Sequence, residues 1–290
     1  MIIHIASVTT RDHLDKAYIL LNSVKRNKQA DTEVDYYLFV QYASDFQEQA
    51  YLDYLQDLIS TDFRIHLYDV DQYKDKVHVP ARDHIYYSRL LFPNTFPQLS
   101  RMIYIDIDAF VIRPGIEDFF TAPIDDYWLG AVIDPTWQYC GPFMHELKNT
   151  GTDHYFNNGV IVMNFDKMRE DGKDKEMTDW CNNWDRSKLQ CICFDQTLMN
   201  YLLKDKVKLL NSKYNCSVMA SLEIAQTAYA VALNKEGWLN PLDSVQNAVI
   251  VHFCGQNKPW NANNIPDVYY PYKTTAVAYW DGIKSRYGKK

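Results

Sequence analysis

The chain has 290 residues, 47% hydrophobic and 23% charged, an ordinary globular composition long enough to bury a sizeable core. Its formal net charge of −7 leaves no broad basic field, which argues against a nucleic-acid partner. No run of about 18 apolar residues suggests a membrane span, and Met1-Ile2-Ile3-His4-Ile5 lacks the basic and long apolar segments of a signal peptide.

Ile2 to Ala6 reads as a first strand, Ser7 to Asp12 as a polar loop, and Leu14, Ala17, Tyr18, Leu21 and Val24 recur with helical spacing. Strand, loop and helix in that order begin an α/β unit, and the loop lies where open α/β sheets bind ligands. Val34–Tyr42 and Phe63–Val70 read as strands, with a helix over Asp45–Ser60 between them and a short helix over Asp83–Leu91 after them. Alternation of this kind predicts a mostly parallel sheet. Further strands are expected at Ile103–Val111, Tyr127–Ile133, Gly159–Asn164, Val207–Leu210 and Ala248–Phe253, and a helix at Asp195–Leu203. Residues 136 to 155 read as a loop or short helix. The charge run 166–176 reads as a solvated loop entering a helix near 177. No linker or repeat splits the chain. The economical division is one domain over 1–262 and a Tyr-rich C-terminal extension over 263–290, its basic tip a solvated tail capable at most of weak peripheral contact with an anionic membrane.

Six cysteines at 140, 181, 191, 193, 216 and 254 include no C-x-x-C pair. Reduced thiols in a cytosol are expected, with Cys191 and Cys193 on one strand face and the Asn215-Cys216-Ser217 sequon unused.

The segment Ile103 to Val111 carries the main chemical signal. Two aspartates do not belong in a strand covered on both faces, so the strand should end at Asp106. If the segment stays extended, Asp106 and Asp108 point the same way and aim two carboxylates at one place. Their repulsion is relieved by a divalent cation, which favours oxygen ligands. Other polar residues also gather at strand and helix ends. Taken singly, each has a plain structural explanation. Asp134 before Pro135 starts a turn, Asn158-Gly159 suits a hairpin, Asp195 suits a helix N-cap, His252 suits a hydrogen-bonded core histidine, and Lys258 suits a surface loop. Together they sketch a metal, phosphate and hydroxyl site.

Five segments occur in order: Ile105-Asp106-Ile107-Asp108, Asp126 to Asp134, Tyr155 to Asn164, Phe194 to Asn200, and His252-Phe253-Cys254-Gly255-Gln256-Asn257-Lys258-Pro259-Trp260. In these the chain resembles glycosyltransferase family 8, which includes bacterial lipopolysaccharide galactosyl- and glucosyltransferases and glycogenin. The resemblance covers about residues 1–262. It implies the GT-A fold, a Rossmann-like α/β domain, and a retaining hexosyltransferase that uses a UDP-sugar with Mn²⁺. It implies Asp106, Asp108 and His252 as metal ligands and Lys258 beside the diphosphate, with Gly255 close to the phosphates. It implies Ala6, Thr9, Thr10 and Asp12 in a uridine loop closer to that of glycogenin than to those of the bacterial enzymes. Arg89, Ile107, Asn157 and Asn158 fall at donor-binding positions. Asp134, Asp195 and Gln196 fall around the donor sugar and are the catalytic candidates. The expected donor is UDP-glucose or UDP-galactose and the expected acceptor a saccharide or glycolipid, with the enzyme cytoplasmic. Two other readings are a self-glucosylating protein like glycogenin and a non-catalytic nucleotide-sugar binding module. A dehydrogenase is excluded because no G-x-G-x-x-G follows the first strand.

Overall fold

The computed structural model describes residues 1–41, 48–78, 84–134, 145–184, 189, 193–217, 247–255, 257–264 and 273–290. The expectations for Asp45–Gln47, Asp83, Pro135, 136–144, Cys140, Cys191 and Gln256 lie outside these residues.

A mixed seven-stranded sheet forms the centre, in the order β3-β2-β1-β4-β7-β6-β8. Its strands are β1 (Ile2–Thr10), β2 (Glu33–Gln41), β3 (Phe63–Asp69), β4 (Arg101–Ile105), β6 (Leu129–Ile133), β7 (Phe156–Asn164) and β8 (Val207–Leu209). The pairs β1–β2, β2–β3, β1–β4 and β6–β8 are parallel, while β7 runs antiparallel to both β4 and β6. A second, three-stranded sheet joins β5 (Ala109–Val111), β10 (Ile250–His252) and β9 (Cys216–Ser217), in the order β5-β10-β9.

The strand sequences are apolar on both sides because both faces of the large sheet are covered. Ile3, Ile5, Val34, Tyr36, Leu38, Ile103 and Ile105 face one cluster, with helix α1 (Leu14–Asn27) against it. Alternate residues, including Val8, Tyr37, Phe39, Met102 and Tyr104, face a second cluster. This one is covered by helices α3 (Lys173–Asn182) and α4 (Phe194–Leu203). Helix α2 (Glu48–Leu55) packs Tyr51 and Leu55 into the first cluster.

Several local expectations are corrected. Strand β1 does not stop at Ala6 but continues through Thr10, paired with β2 from Ile2↔Glu33 to Thr10↔Gln41. Polar Ser7 is tolerated inside because its hydroxyl is held by the Ile105 carbonyl at 2.5 Å and the Tyr36 hydroxyl at 2.6 Å. Strand β7 begins at Phe156, so Asn157, Asn158 and Gly159 are strand residues and no hairpin turns there. The charge run is helical over Phe165–Glu170 and again from Lys173. Its charges are spaced for helix, as the pairs Arg169–Asp166, Lys167–Glu170, Lys167–Asp171 and Lys173–Glu176 show.

The basic side chains of the C-terminal tip, Lys284, Arg286, Lys289 and Lys290, are exposed as expected, but the chain that carries them is a docked helix through Tyr287 rather than a free tail. Helix α5 (Lys273–Tyr287) lays Trp280, Ile283 and Tyr287 into the first cluster. Tyr287 is fully buried, its hydroxyl accepting from Asn27 Nδ2 at 2.9 Å and its carbonyl from Asn22 Nδ2 at 2.7 Å. None of the described helices is long and apolar enough to cross a membrane. Truncating a buried aromatic costs about 3–5 kcal/mol. Tyr287→Ala should therefore lower stability by about 3 kcal/mol or more, read as a fall in the urea midpoint at unchanged slope. A midpoint equal to the parent's would show that this helix is only draped on the surface.

Candidate active site

The site lies at the seam between the two sheets. Strand β4 ends at Ile105, and the chain turns through Asp106-Ile107-Asp108 before starting β5. A hydrogen bond from Ala109 N to the Asp106 carbonyl, 2.9 Å, closes the turn. The extended geometry expected for the two aspartates is therefore replaced by a turn, because each end belongs to a different sheet. Asp106 N still bonds the Gly159 carbonyl of β7 at 2.6 Å, whereas the Asp108 carbonyl accepts from Phe253 N at 3.0 Å, just past β10. The carboxylates still converge. His252, opposite Ala109 in the β5–β10 register, joins them. Ligand atoms of Asp106, Asp108 and His252 all lie within 4.8 Å of one another.

This donor set fits a divalent cation: two carboxylate oxygens and one imidazole nitrogen from rigid strand ends. The space between them is kept by Gly159. A Cβ there would stand 2.3 Å from His252 Cε1 and 2.5 Å from Asp106 Oδ2. Basic groups balance the acids. Lys258 Nζ pairs with Asp108 and donates to the Phe253 carbonyl at 2.6 Å. His252 Nε2 lies 3.1 Å from Asp108 Oδ1 and 3.9 Å from Asp106 Oδ2. Burial pushes the Asp108 carboxyl up, but the Lys258 and His252 charges outweigh it and hold it far below the usual carboxylate range. Burial pulls His252 and Lys258 down, and neighbouring anionic groups, Asp108 among them, leave both raised.

Arg89 ties this centre to a second group of polar residues. Buried over the Tyr104 ring at 3.9 Å, it donates from Nη2 to Asp106 Oδ1 at 3.1 Å and from Nη1 to the Asn158 carbonyl at 3.0 Å. Its Nε lies 3.1 Å from Asp195 Oδ2. Asn158 Nδ2 donates to the same Asp195 oxygen at 2.6 Å. Gln196 accepts from Asn158 N at 3.2 Å and donates to Asp134 Oδ2 at 3.2 Å, where Asn157 Nδ2 also donates at 3.1 Å. Asp134, Asn158, Asp195 and Gln196 are all buried. Burial is the largest influence on Asp195 and raises it to about 6, although the Arg89 charge pulls the other way.

Other expected residues fall in different places. Ala6 is fully buried in mid-sheet, paired with Tyr37 and Tyr104. Thr9 is buried at the end of β1, Thr10 bonds His13 Nδ1 at 3.2 Å, and Asp12 is exposed in the following turn. Ile107 packs against the first cluster from within the turn. At Gly255 open space surrounds the absent Cβ, and its φ of +87° is what calls for glycine.

Four contributors escaped the sequence reading. Gly159 makes room for the ligands. Tyr104 donates to Asp106 Oδ1 at 2.7 Å. Asn215 bonds His252 Nδ1 at 2.9 Å. Phe194 has a φ of +49°, the one positive value outside glycine among the described residues, a strained conformation that starts α4 so that Asp195 and Gln196 follow inside the site. Tyr104, Gly159 and Phe194 each stand within two residues of a candidate, whereas Asn215 had no signal beyond an unused sequon.

The model of the family described as Glycosyl transferase family 8 matches residues 4–264. The chain belongs to that family. General stress protein A of Bacillus subtilis is 26% identical over 209 residues, 70% of each chain. A putative glycosyltransferase of Haemophilus influenzae is 26% identical over 60% of this chain and 48% of its own length. The lipopolysaccharide glucosyltransferase WaaO of Escherichia coli is 23% identical over 78% of this chain and 63% of its own length. The match thus spans less than two thirds of the latter two relatives. Among solved structures, apo WbbM, a bifunctional glycosyltransferase, superposes with a TM-score of 0.75 at 18% identity, covering 95% of this chain and 51% of its own. The galactosyltransferase LgtC, solved with donor and acceptor sugar analogues, gives 0.67 at 21% identity, covering 89% of each. The fold is that of the GT-A glycosyltransferases.

Two outcomes follow from this geometry. Gly159→Ala should displace His252 and Asp106, and a shift of about 1 Å at such a centre costs on the order of 10²-fold in rate. The expectation is that loss in a glycosyl-transfer assay with native-like circular dichroism; full activity would contradict the close packing. Asp195 keeps its proton up to about pH 6 in the folded chain, but only to about pH 4 when unfolded. The native state therefore binds more protons across that window, and stability should fall as pH rises through it. Asp195→Asn should remove this fall in urea unfolding at pH 4.5 and 6.5, whereas an unchanged pH dependence would count against the raised carboxyl.

Proposed function

We propose that the chain is a metal-dependent, retaining glycosyltransferase that moves a glucosyl or galactosyl group from a UDP-sugar to a glycan acceptor, saccharide or glycolipid. The observation that carries this is the juxtaposition of two unlike groups: Asp106, Asp108 and His252 with Lys258 beside them, and Asp134, Asn157, Asp195 and Gln196 linked to them by Arg89. One suits a diphosphate and a cation, the other a sugar. The names of WaaO and LgtC, a glucosyltransferase and a galactosyltransferase, support a hexose donor.

Asp106, Asp108 and His252 would hold Mn²⁺, which when bound supplies a Lewis acid for the charge that grows on the leaving UDP. Lys258 has an ammonium within the same cluster and adds a second positive charge for that oxygen. Arg89 fixes Asp106 from the far side and at the same time orients Asp195. Asp195, held by Arg89 and Asn158, presents a carboxylate to the positive charge that develops on the sugar ring as its bond to the diphosphate weakens. Gln196 and Asn157, both turned to Asp134, supply amides for sugar hydroxyls. These polar groups are already paired before substrate arrives and need little reorganisation during reaction.

The test is UDP release from UDP-glucose, UDP-galactose and their N-acetyl forms with Mn²⁺ and no acceptor. One of the two hexose donors should turn over, EDTA should stop it, and Asp108→Ala should lower it by about 10²-fold or more. Release that persists in EDTA, or an Asp108→Ala variant of parental rate, would refute the metal-dependent reading. Growth in mass by hexose steps with UDP-glucose alone would favour self-glucosylation instead.

A further inference from the structure

Asn215 lies outside the five segments that mark the family, yet a chain of hydrogen bonds joins it to both halves of the site. The direction of that chain follows from groups whose roles are not in doubt. A backbone N–H only donates. Gly159 N meets the Asn157 side chain at 3.0 Å, so that atom is the amide oxygen. The nitrogen end of Asn157 therefore faces Asp134 Oδ2, at 3.1 Å. The same Asn157 oxygen lies 2.9 Å from Asn215, so the Asn215 atom there must be its NH₂ nitrogen. The Asn215 oxygen then faces His252 Nδ1 at 2.9 Å. An amide oxygen only accepts, so Nδ1 carries a hydrogen. Nε2, 3.1 Å from Asp108 and 3.9 Å from Asp106, carries the second hydrogen of the charged ring toward those carboxylates, and it is this hydrogen, not the one on Nδ1, that a cation would replace.

A second line agrees. Asn158 N–H fixes the Gln196 oxygen at 3.2 Å and turns the Gln196 nitrogen to Asp134 Oδ2 at 3.2 Å. Two amides thus offer N–H groups to one carboxylate oxygen, and along the chain through Asn215 and Asn157 each donor points from His252 toward Asp134. Asn215 is 5% exposed and His252 3%, so bulk water has little access to substitute for these bonds.

We infer that Asn215 is a positioning residue: oriented by Asn157 and the Gly159 backbone, it holds His252 with hydrogen on Nδ1 and reserves Nε2 for a divalent cation between Asp106 and Asp108. The consequence for metal affinity rests on the proposed function, whereas the placement of the ring hydrogen does not. The same chain makes Asn157 common to the cation and sugar halves of the site.

The experiment uses the full chain with ¹⁵N-labelled histidine and long-range ¹H–¹⁵N spectra, with and without Mg²⁺, the His252 signals being assigned from His252→Gln. The parent should show hydrogen on Nδ1 in both states. Asn215→Leu should lose that preference and weaken Mn²⁺ binding, measured by calorimetry, by roughly 10–100-fold, the usual effect of removing such an outer partner. Asn215→Asp keeps an acceptor against the ring and should keep hydrogen on Nδ1. A parent ring bearing hydrogen on Nε2 with Nδ1 bare would overturn the inference. So would an Asn215→Leu variant with parental spectra and parental Mn²⁺ affinity. If the parent binds no Mn²⁺ but the Nδ1 hydrogen is present and lost in Asn215→Leu, the metal reading fails and the positioning role stands.

Discussion

The structure depends on one constraint, the short turn Asp106-Ile107-Asp108 strung between two sheets. Asp106 is bonded through its backbone to β7 of the large sheet, and Asp108 to the residue after β10 of the small one. Neither aspartate can move without disturbing a sheet. The turn therefore converts the rigidity of two hydrogen-bonded layers into a fixed spacing of two carboxylates. His252 follows from the same constraint, because it pairs across from Ala109, the residue immediately after the turn. Such placement on strand ends gives a preorganised centre that a loop alone would hold less firmly.

Concentrating negative charge at this seam has to be compensated. Lys258 and His252 do so on one side and Arg89 on the other. Arg89 is the link between the halves, since its single guanidinium contacts Asp106, Asp195 and the Asn158 carbonyl. Electrostatics and geometry here reinforce each other. Tyr104 below the guanidinium and the short bond between Asn158 and Asp195 keep the group from relaxing. Gly159 keeps the middle open, and its backbone N–H also sets the direction of the amide chain through Asn157.

Much of this was legible in the sequence, and the limits have physical causes. Apolar runs of Val, Ile and Tyr marked the strands because both sheet faces are buried. Two aspartates after Ile105 marked the end of β4 because a covered strand cannot hold them. A strand-end turn was legible there as the plain alternative, but not that it would aim both carboxylates at one place, since the rule that residues i and i+2 point together applies only while the chain is extended. The start of β7 was missed because Asn157-Asn158-Gly159 carries turn chemistry locally, while its pairing and its bonds to Asp134, Asp195 and Gln196 come from distant segments. Asn215 stands 58 positions from Asn157 and 37 from His252, and no local pattern announces such contacts. The helical nature of 165–182 was readable from the i,i+3 charge spacing but was masked by its high polarity. The buried C-terminal helix was readable from Ala276, Trp280, Ile283 and Tyr287, which recur at helical spacing, but the basic residues around Tyr287 drew the reading toward a solvated tail.

Asp106, Asp108 and His252 are proposed to form one cation site serving a nucleotide-sugar diphosphate. The most direct measurement is a crystal structure with UDP and Mn²⁺, with data collected at the manganese absorption edge. One anomalous peak is expected among Asp106, Asp108 and His252, with Lys258 turned from Asp108 toward the phosphate. UDP bound with no anomalous peak among these three residues, or with the peak elsewhere, would contradict it.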